Sequence, residues 1–540
     1  RGVGTAVSSV PALQANFAWL PASLALALIV VASSGFRVAG PGVPGLYGAS
    51  LGASLVLLAC GFALQAHAWR THRVLRLAVS LKAQHYLQAC AQAAVFAFWI
   101  AWWPQAPAFV PILLVQLLFA YAIDMVITWS RRDDYVLGFG PFPIVFSINL
   151  FLVFKDPWFQ WQFVLVGLAF VGKHFLKWTR EGRQVHIFNP SAFALAVTSL
   201  GLIVTGASAT TWGQEIAITQ FYPPQMYLVI FLVGLPGQFL FGVTSMTMAA
   251  VVSTYVLSLM YFWATGVYLF YDSFVPIAVF LGMHLLFTDP STSPRGELGR
   301  VIFGVLYGAS TVALYVVFTA VGVPAFYDKL FQVPLMNLAV PAIDRLAASP
   351  ALRLVDPARL GREIQGRQRH LAYMAVWTLV FFGMTTVQAV GDRHPGQWIP
   401  FWREACDAGR ERACRFLDTR LTTHCAEGSG WACNEVGVRI VQGRRPAPVG
   451  AGGPVGAAGV KPEALAGASF ERGCELGFKA ACENLLAVVN DRSAVRSAEP
   501  AVADLPIVLR GSKREIAERS PDALFDLACQ QGWPDTCGSR

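Results

Sequence analysis

Charge is what this chain lacks most. Only 14% of its 540 residues are Asp, Glu, Lys or Arg, where a soluble domain carries about 25%. Hydrophobic residues make up 55%, and the mean hydropathy is +0.51. These values exclude an ordinary soluble enzyme and predict a polytopic membrane protein with the lipid bilayer as its first partner. Cysteine is also scarce over the first 404 residues: Cys60 and Cys90 lie in apolar runs and read as core. There is no phosphate-cradling glycine loop, no haem or iron–sulfur cysteine spacing and no hydrolase triad. No catalytic residue and no metal site is assigned. The net charge of +9 does not indicate nucleic acid, because the cations lie mostly in short loops between apolar runs, as the positive-inside rule predicts.

Apolar runs of roughly 18 residues or more can span a bilayer. They centre near Leu26, Leu57, Phe96, Leu117, Asn149, Leu168, Leu195, Phe231, Val256, Phe280 and Leu314. A shorter run lies near Leu335, and a last one covers Leu371 to Val390. The expectation is an all-α membrane helix bundle of about thirteen helices. The first run, about Ala15 to Ser34, has no small-residue cleavage site and reads as a retained helix. Basic loops at Arg70 to Lys82, Arg131-Arg132, Lys173 to Arg183, Arg295 to Arg300 and Arg345 to Arg369 share one side if an even number of helices separates each pair. The helix order satisfies that condition. Trp103-Pro104-Gln105, Asp156-Pro157-Trp158 and Thr211-Trp212-Gly213-Gln214-Glu215 then form the other interface, with aromatic anchors. The N-terminus is expected in the cytoplasm and everything after Val390 outside.

Two polar segments interrupt the apolar pattern. They are His186-Ile187-Phe188-Asn189-Pro190-Ser191-Ala192-Phe193 and Phe287-Thr288-Asp289-Pro290-Ser291-Thr292-Ser293-Pro294. Proline starts helices rather than continuing them. Free backbone groups at such a break are tolerated in a membrane only where protein or a water-filled cavity satisfies them. Paired breaks of this kind point to a central binding site. Asn189, Pro190, Ser191, Asp289, Pro290, Ser291 and Thr292 are the candidate pore-lining or cofactor-binding residues. The same Asn, Asp and Ser also suit helix N-caps, and both readings stand. Asp124, an acid inside an apolar run, and His284 are candidates for an ion pathway; a paired acid and a hydrogen-bonded core histidine are the plainer alternatives. Lys173, His174, Lys177, Arg180 and Arg183 are a topology signal or, alternatively, a flavin-phosphate site.

The remaining eight cysteines form four pairs of identical spacing: Cys406 with Cys414, Cys425 with Cys433, Cys474 with Cys482 and Cys529 with Cys537. Gly409, Gly428, Gly477 and Gly532 follow the first cysteine by three positions, and Ala413, Ala432, Ala481 and Thr536 precede the second. The pattern predicts helix, glycine turn, helix, with each pair within disulfide reach in an oxidising compartment. Residues 443–467 read as a Gly/Ala/Pro linker, and 490–518 as a second one.

Phe470-Glu471-Arg472-Gly473-Cys474-Glu475-Leu476-Gly477, with Ala481-Cys482-Glu483-Asn484-Leu485, and Ala523 to Cys529 resemble cysteine-rich Sel1-like repeats. The pairs begin 19, 49 and 55 residues apart, so a small disulfide-stapled α-helical module is expected rather than a regular solenoid. Such modules bind proteins.

The membrane part carries a second resemblance. Phe188 to Phe193, Thr288 to Pro294 continuing through Gly299-Arg300-Val301-Ile302-Phe303-Gly304, and Leu335-Met336-Asn337-Leu338-Ala339-Val340-Pro341-Ala342-Ile343-Asp344-Arg345 together resemble the RnfD/NqrB family. The resemblance runs from about Tyr135 to Arg345. It implies two inverted repeats, a bacterial inner-membrane location, partner subunits in a redox complex, and coupling of electron flow to ion movement. It also implies FMN on a threonine of a Ser-Gly-Ala-Thr-x-x-Thr motif. Thr205-Gly206-Ala207-Ser208-Ala209-Thr210-Thr211-Trp212 stands at that place without matching it, which leaves Thr210 and Thr211 as the only candidates. Loss of the flavin threonine, with added N-terminal helices, is also similar to UnbU-type proteins of enediyne biosynthesis. A flavin-free channel or transporter for a small polar solute is the third reading. The expected organisation is N-terminal helices 1–130, an RnfD/NqrB-like core 131–346, a basic connector 347–370, a last helix 371–390 and the cysteine-paired module 391–540.

Overall fold

The computed structural model describes residues 7–13, 16–39, 44–102, 109–180, 182–221, 223–270, 273–360, 366–444, 462–490, 495–511 and 516–537. The expected interface loop at 103–105 and the linker stretch 445–461 lie outside the described residues. The chain forms two units, one of residues 1–257 and 275–386, the other of residues 258–274 and 387–540.

The described residues are 72% helix and 4% strand. Helices of the first unit are α1 (Leu20–Ala39), α2 (Pro44–Arg70), α3 (Ala83–Ile100), α4 (Phe109–Trp129), α5 (Pro141–Asn149), α6 (Gln160–Phe175), α7 (Pro190–Val204), α8 (Gly213–Thr219), α9 (Met226–Phe241), α10 (Thr244–Thr265, whose end enters the second unit), α11 (Ile277–Leu285), α12 (Glu297–Ala320), α13 (Asp328–Ala347), α14 (Pro357–Leu360) and α15 (Gly366–Thr386). Among the described residues, four stretches are long and apolar enough to cross a membrane alone: Gly45–Arg70, Phe109–Trp129, Thr244–Thr265 and Glu297–Ala320.

Three apolar runs fold differently from expectation. Those near Asn149 and Phe280 give only the nine-residue helices α5 and α11. At the end of α5, Asn149 turns its amide back to Val145 C=O (2.8 Å) and exchanges two hydrogen bonds with Gln116 (2.9 Å each). The chain beyond it is no longer helical: Trp212 N–H donates to Val153 C=O at 2.7 Å. A fully buried amide cluster of Gln116, Asn149 and Gln162 therefore fixes where α5 stops, since buried polar groups must find partners. The run near Leu335, expected to be short, belongs to the 20-residue α13. Its buried face carries Asp328, Gln332 and Asn337, so apolar length understates the helix.

The all-α expectation also needs correction for two small sheets. β1 (Val7–Leu13) pairs antiparallel with β2 (Arg76–Leu81), which pairs parallel with β3 (Asp134–Leu137). β4 (Lys177–Arg180) and β5 (Arg183–His186) form an antiparallel hairpin. Leu77 packs beneath β2 with Leu75, Trp129 and Tyr135, and Trp129 Nε1 donates to Arg76 C=O at 3.2 Å. Segments read from charge as topology loops thus contain strands, and the β4–β5 hairpin ends at His186, the start of the first polar segment.

The second unit holds α16 (Ile399–Asp407), α17 (Glu411–Ala426), α18 (Gly430–Val441), α19 (Pro462–Glu475), α20 (Lys479–Val489), α21 (Leu505–Val508) and α22 (Pro521–Gln530). All four expected cysteine pairs are bridged. Cys406 bonds to Cys414, joining the end of α16 to α17, and Cys425 bonds to Cys433, joining α17 to α18. Cys474 bonds to Cys482, joining α19 to α20, and Cys529 of α22 bonds to Cys537, which ends the short turn after it. The Cα–Cα distances are 4.6 to 4.9 Å, within disulfide range. The last pair departs from the expected pattern of helix, turn, helix: Cys537 follows a 3-10 turn at Pro534–Thr536, which Pro534 starts. Gly409, Gly428, Gly477 and Gly532 have φ between 81° and 102°, the left-handed region that stops a helix. Each glycine N–H donates to the carbonyl of the preceding cysteine, at 2.8 to 3.1 Å. Ala413, Ala432 and Ala481 are fully buried, which lets the paired helices approach.

Candidate functional site

The two polar segments, one hundred residues apart in sequence, meet. Asn189 is the N-cap of α7, and its Oδ1 accepts from Ala192 N–H at 3.1 Å and from the Ser191 hydroxyl at 2.8 Å. Its Nδ2 donates to Leu286 C=O at 3.0 Å, at the end of α11. Asp289 Oδ1 accepts from Ser291 N–H at 2.9 Å and from the Ser291 hydroxyl. His186 Nε2 lies 3.2 Å from Asp289 Oδ2 and 2.7 Å from Ser291 Oγ. With the serine hydroxyl donated to Asp289, the consistent assignment places a proton on His186 Nε2.

The third sequence motif closes the junction. Asn337, midway along α13, accepts from Asn189 N–H at 3.0 Å and donates to Thr292 C=O at 3.0 Å. Two turns on, Asp344 pairs with Arg180 of β4, and Arg180 also donates to Ser293 C=O at 3.1 Å. Cap chemistry and convergence of both breaks therefore occur in the same atoms. Pro190 starts α7 and is buried; Pro290 follows Asp289 at the turn. Asn337 and His186 were not singled out as site residues by sequence, and Arg180, read as part of the basic strip, joins Asp344 and Ser293 C=O. Their quoted motifs held the signal, but the partners are 103 to 164 residues away.

Asp124 is a paired acid. Its carboxylate, 7% exposed, meets Lys173 Nζ at 3.1 Å, His174 Nε2 at 2.6 Å and the Tyr135 hydroxyl at 3.1 Å. Lys173 and His174 of the basic strip thus serve this cluster. His284 is buried and its Nδ1 bonds Phe280 C=O at 2.8 Å. Since a carbonyl only accepts, the neutral ring keeps Nε2 as an acceptor. That atom has no hydrogen-bond partner among the described residues, nor do both amide atoms of Gln238 and the Trp377 indole nitrogen. The His284 ring stacks 6.1 Å from Trp377. Asp328, missed because it sits at a helix start, is 3% exposed. One turn along α13 lies Gln332; it and Tyr307 of α12 are fully buried, and their side-chain polar atoms lack partners among the described residues.

Thr210 and Thr211, the candidate threonines for FMN, both donate their hydroxyls to nearby carbonyls. Thr211 is 2% exposed, and its hydroxyl donates to Ser208 C=O at 3.1 Å. Thr210 donates to Ala207 C=O at 2.7 Å and closes a short 3-10 turn. Thr211 does not fit a covalent flavin linkage, and Thr210 serves its own turn.

Residues 224–352 match the model of the NQR2, RnfD, RnfE family. The match spans α9 to α13 and includes the second polar segment and Asn337; residues 186–193 lie outside it. It supports, at family level, a membrane subunit of ion-translocating redox complexes. No curated protein matches the chain, and no solved structure does.

Proposed function

We propose that this chain is an RnfD/NqrB-type integral membrane subunit that moves a proton or small cation through the junction of its two polar segments, with electrons handled by other subunits. One observation carries this reading: both helix breaks meet at Asn337, midway along α13, with a carboxylate, an imidazole and a hydroxyl in mutual contact. Ser291 accepts from His186 while donating to Asp289. A proton can pass between the acid and the imidazole by reversing that one hydroxyl. Asp328 supplies a second buried acid at the opposite end of α12, with Gln332 and Tyr307 between as hydrogen-bonding groups.

The reading places the protein in a bacterial inner membrane, its N-terminus cytoplasmic and its Sel1-like cysteine module outside, where the four disulfides persist. The test is cation flux in liposomes containing the purified complex. Asp289→Asn should lower flux at least tenfold while the assembly stays intact. Unchanged flux sinks the pathway. A pull-down from native membranes that brings no redox subunit removes the complex reading.

A flavin-free route for a small neutral solute is a second reading. His284 Nε2, the Gln238 amide and the Trp377 indole nitrogen, without partners among the described residues, favour it, because together they offer donors and acceptors without charge. Solute uptake by liposomes holding the chain alone, lost in Gln238→Leu, separates it from the first.

A further inference from the structure

Within the second unit, the stretch from Val495 to Pro500 runs extended across α18 and α20. It is held mostly by its main chain. Asn484 Oδ1 accepts Arg496 N–H at 2.9 Å, and Asn484 Nδ2 donates to Arg496 C=O at 2.8 Å. That two-bond exchange is what one β-strand makes with another. Two residues on, Glu435 Oε1 accepts Ala498 N–H at 3.1 Å, and Trp431 Nε1 donates to Ala498 C=O at 2.6 Å. The period of two is that of an extended peptide.

The groove is prepared for such a guest. Trp431 and Asn434 are 0% exposed, Asn484 3% and Glu435 7%. Buried amide and carboxylate groups are costly without partners, and here they find them on a guest's backbone. Asn434 orients the clamp by accepting from Asn484 Nδ2 at 2.8 Å. Arg496, Ser497 and Glu499 of the guest are exposed, and two of their side chains are read. The Ser497 hydroxyl donates to Glu435 Oε2 at 2.5 Å. Glu499 pairs with Arg403 at 2.6 Å, whose guanidinium lies over Trp431 and Trp533 at 5.6 and 5.1 Å.

We propose that this groove is a docking site for an extended segment of a partner protein that carries an acid opposite Arg403, and that Arg496–Glu499 is an internal stand-in that fills it. Specificity is low along the backbone and is set chiefly by one acid opposite Arg403. Because the stand-in is tethered, its effective concentration is of order millimolar, so a partner must outcompete it or meet a chain in which it has been displaced. The proposal concerns the second unit only and stands whether or not the membrane reading holds.

The test uses the full-length chain in detergent and a fluorescein-labelled peptide of sequence Val495 to Leu505, followed by anisotropy. In Ala498→Pro the stand-in loses the N–H that Glu435 accepts. This variant should bind the peptide saturably and at least tenfold more tightly than the parent chain. Adding Asn484→Ala should abolish that binding. Resistance of the tail cysteines to thiol label without reductant reports that the module remains folded. Should Ala498→Pro fail this check, the surface change Arg403→Glu decides alone. It should reject the acidic peptide and take one with lysine in place of the glutamate, a reversal of at least tenfold. No saturable binding by the folded variant, or no charge reversal, overturns the proposal. Dimerisation of either variant without peptide also overturns it, because the groove would then take a second copy of the chain.

Discussion

Asn337 Oδ1 accepts the main-chain N–H of Asn189 at 3.0 Å, across 148 residues of sequence. Through its other amide atom the same side chain holds Thr292, so one residue joins both polar segments to α13. Removing it orphans a buried N–H and a buried C=O, each worth about 1–3 kcal/mol when left unsatisfied. Asn337→Leu should therefore lower stability by about 2–4 kcal/mol, read as a drop in the detergent unfolding midpoint. An unchanged midpoint would show that the junction does not hold the breaks together.

The Asp124 cluster predicts a different mutational signature. Asp124→Asn leaves Lys173 near the bilayer without its counter-charge. Breaking a fully buried pair costs about 3–5 kcal/mol; with Lys173 29% exposed, about 2 kcal/mol is expected. Asp124→Asn with Lys173→Met should recover most of it. A double variant as unstable as the sum of the singles would exclude direct coupling.

The cysteine hairpins predict chemistry. Thiol labelling of intact protein without reductant should leave the eight tail cysteines unmodified. Each bridge closes a short loop and should contribute about 2–3 kcal/mol. Gly477→Val, forced to φ of 82°, should cost about 1–2 kcal/mol. Ready labelling of the tail overturns both the bridges in solution and the outward placement.

A pH dependence follows from His394, which caps the turn at 395–397 through Gly396 N–H (3.1 Å) and packs against Tyr268 and Phe274. Burial lowers its pKa to about 3. Below about pH 6.5 the unfolded chain binds a proton that the folded module refuses. Stability should then fall as pH drops from about 6.5 toward 3, by about 1.4 kcal/mol per unit. His394→Asn keeps a capping acceptor and should flatten this acid limb; an identical slope in the variant assigns it to other groups.

Legibility varied with the range of the interaction. Pro190 and Asn189 together mark the start of α7, because a cap and its N–H targets lie within four residues. Asp289 and Ser291 likewise form their turn locally. The bridges of Cys414, Cys433, Cys482 and Cys537 were readable for the same reason, each partner lying eight residues back. That Asp289 also meets His186 was not readable, since nothing in either segment names its partner. The run around Phe280 looked like a full span because hydropathy counts apolar residues. The helix ends at Leu285, where the chain turns to satisfy Asn189. The length of α13 was hidden for the opposite reason: its buried Asp328, Gln332 and Asn337 lower the apolar count of a helix that is nevertheless buried.

The sequence by itself determined the membrane character of the first unit, the places where helices begin at proline, and the cysteine–glycine hairpins. In each case the deciding groups lie within about two helical turns, so the local chain holds all the chemistry. Only the tertiary structure decided which breaks meet, where α5 and α11 stop, that Asp124 is paired, and that the basic loops supply strands. It also decided that Arg496–Glu499, read as linker, occupies a groove. Those outcomes depend on which distant donor satisfies which acceptor, and in a low-dielectric interior an unpaired polar group is too costly to leave the choice to local preference.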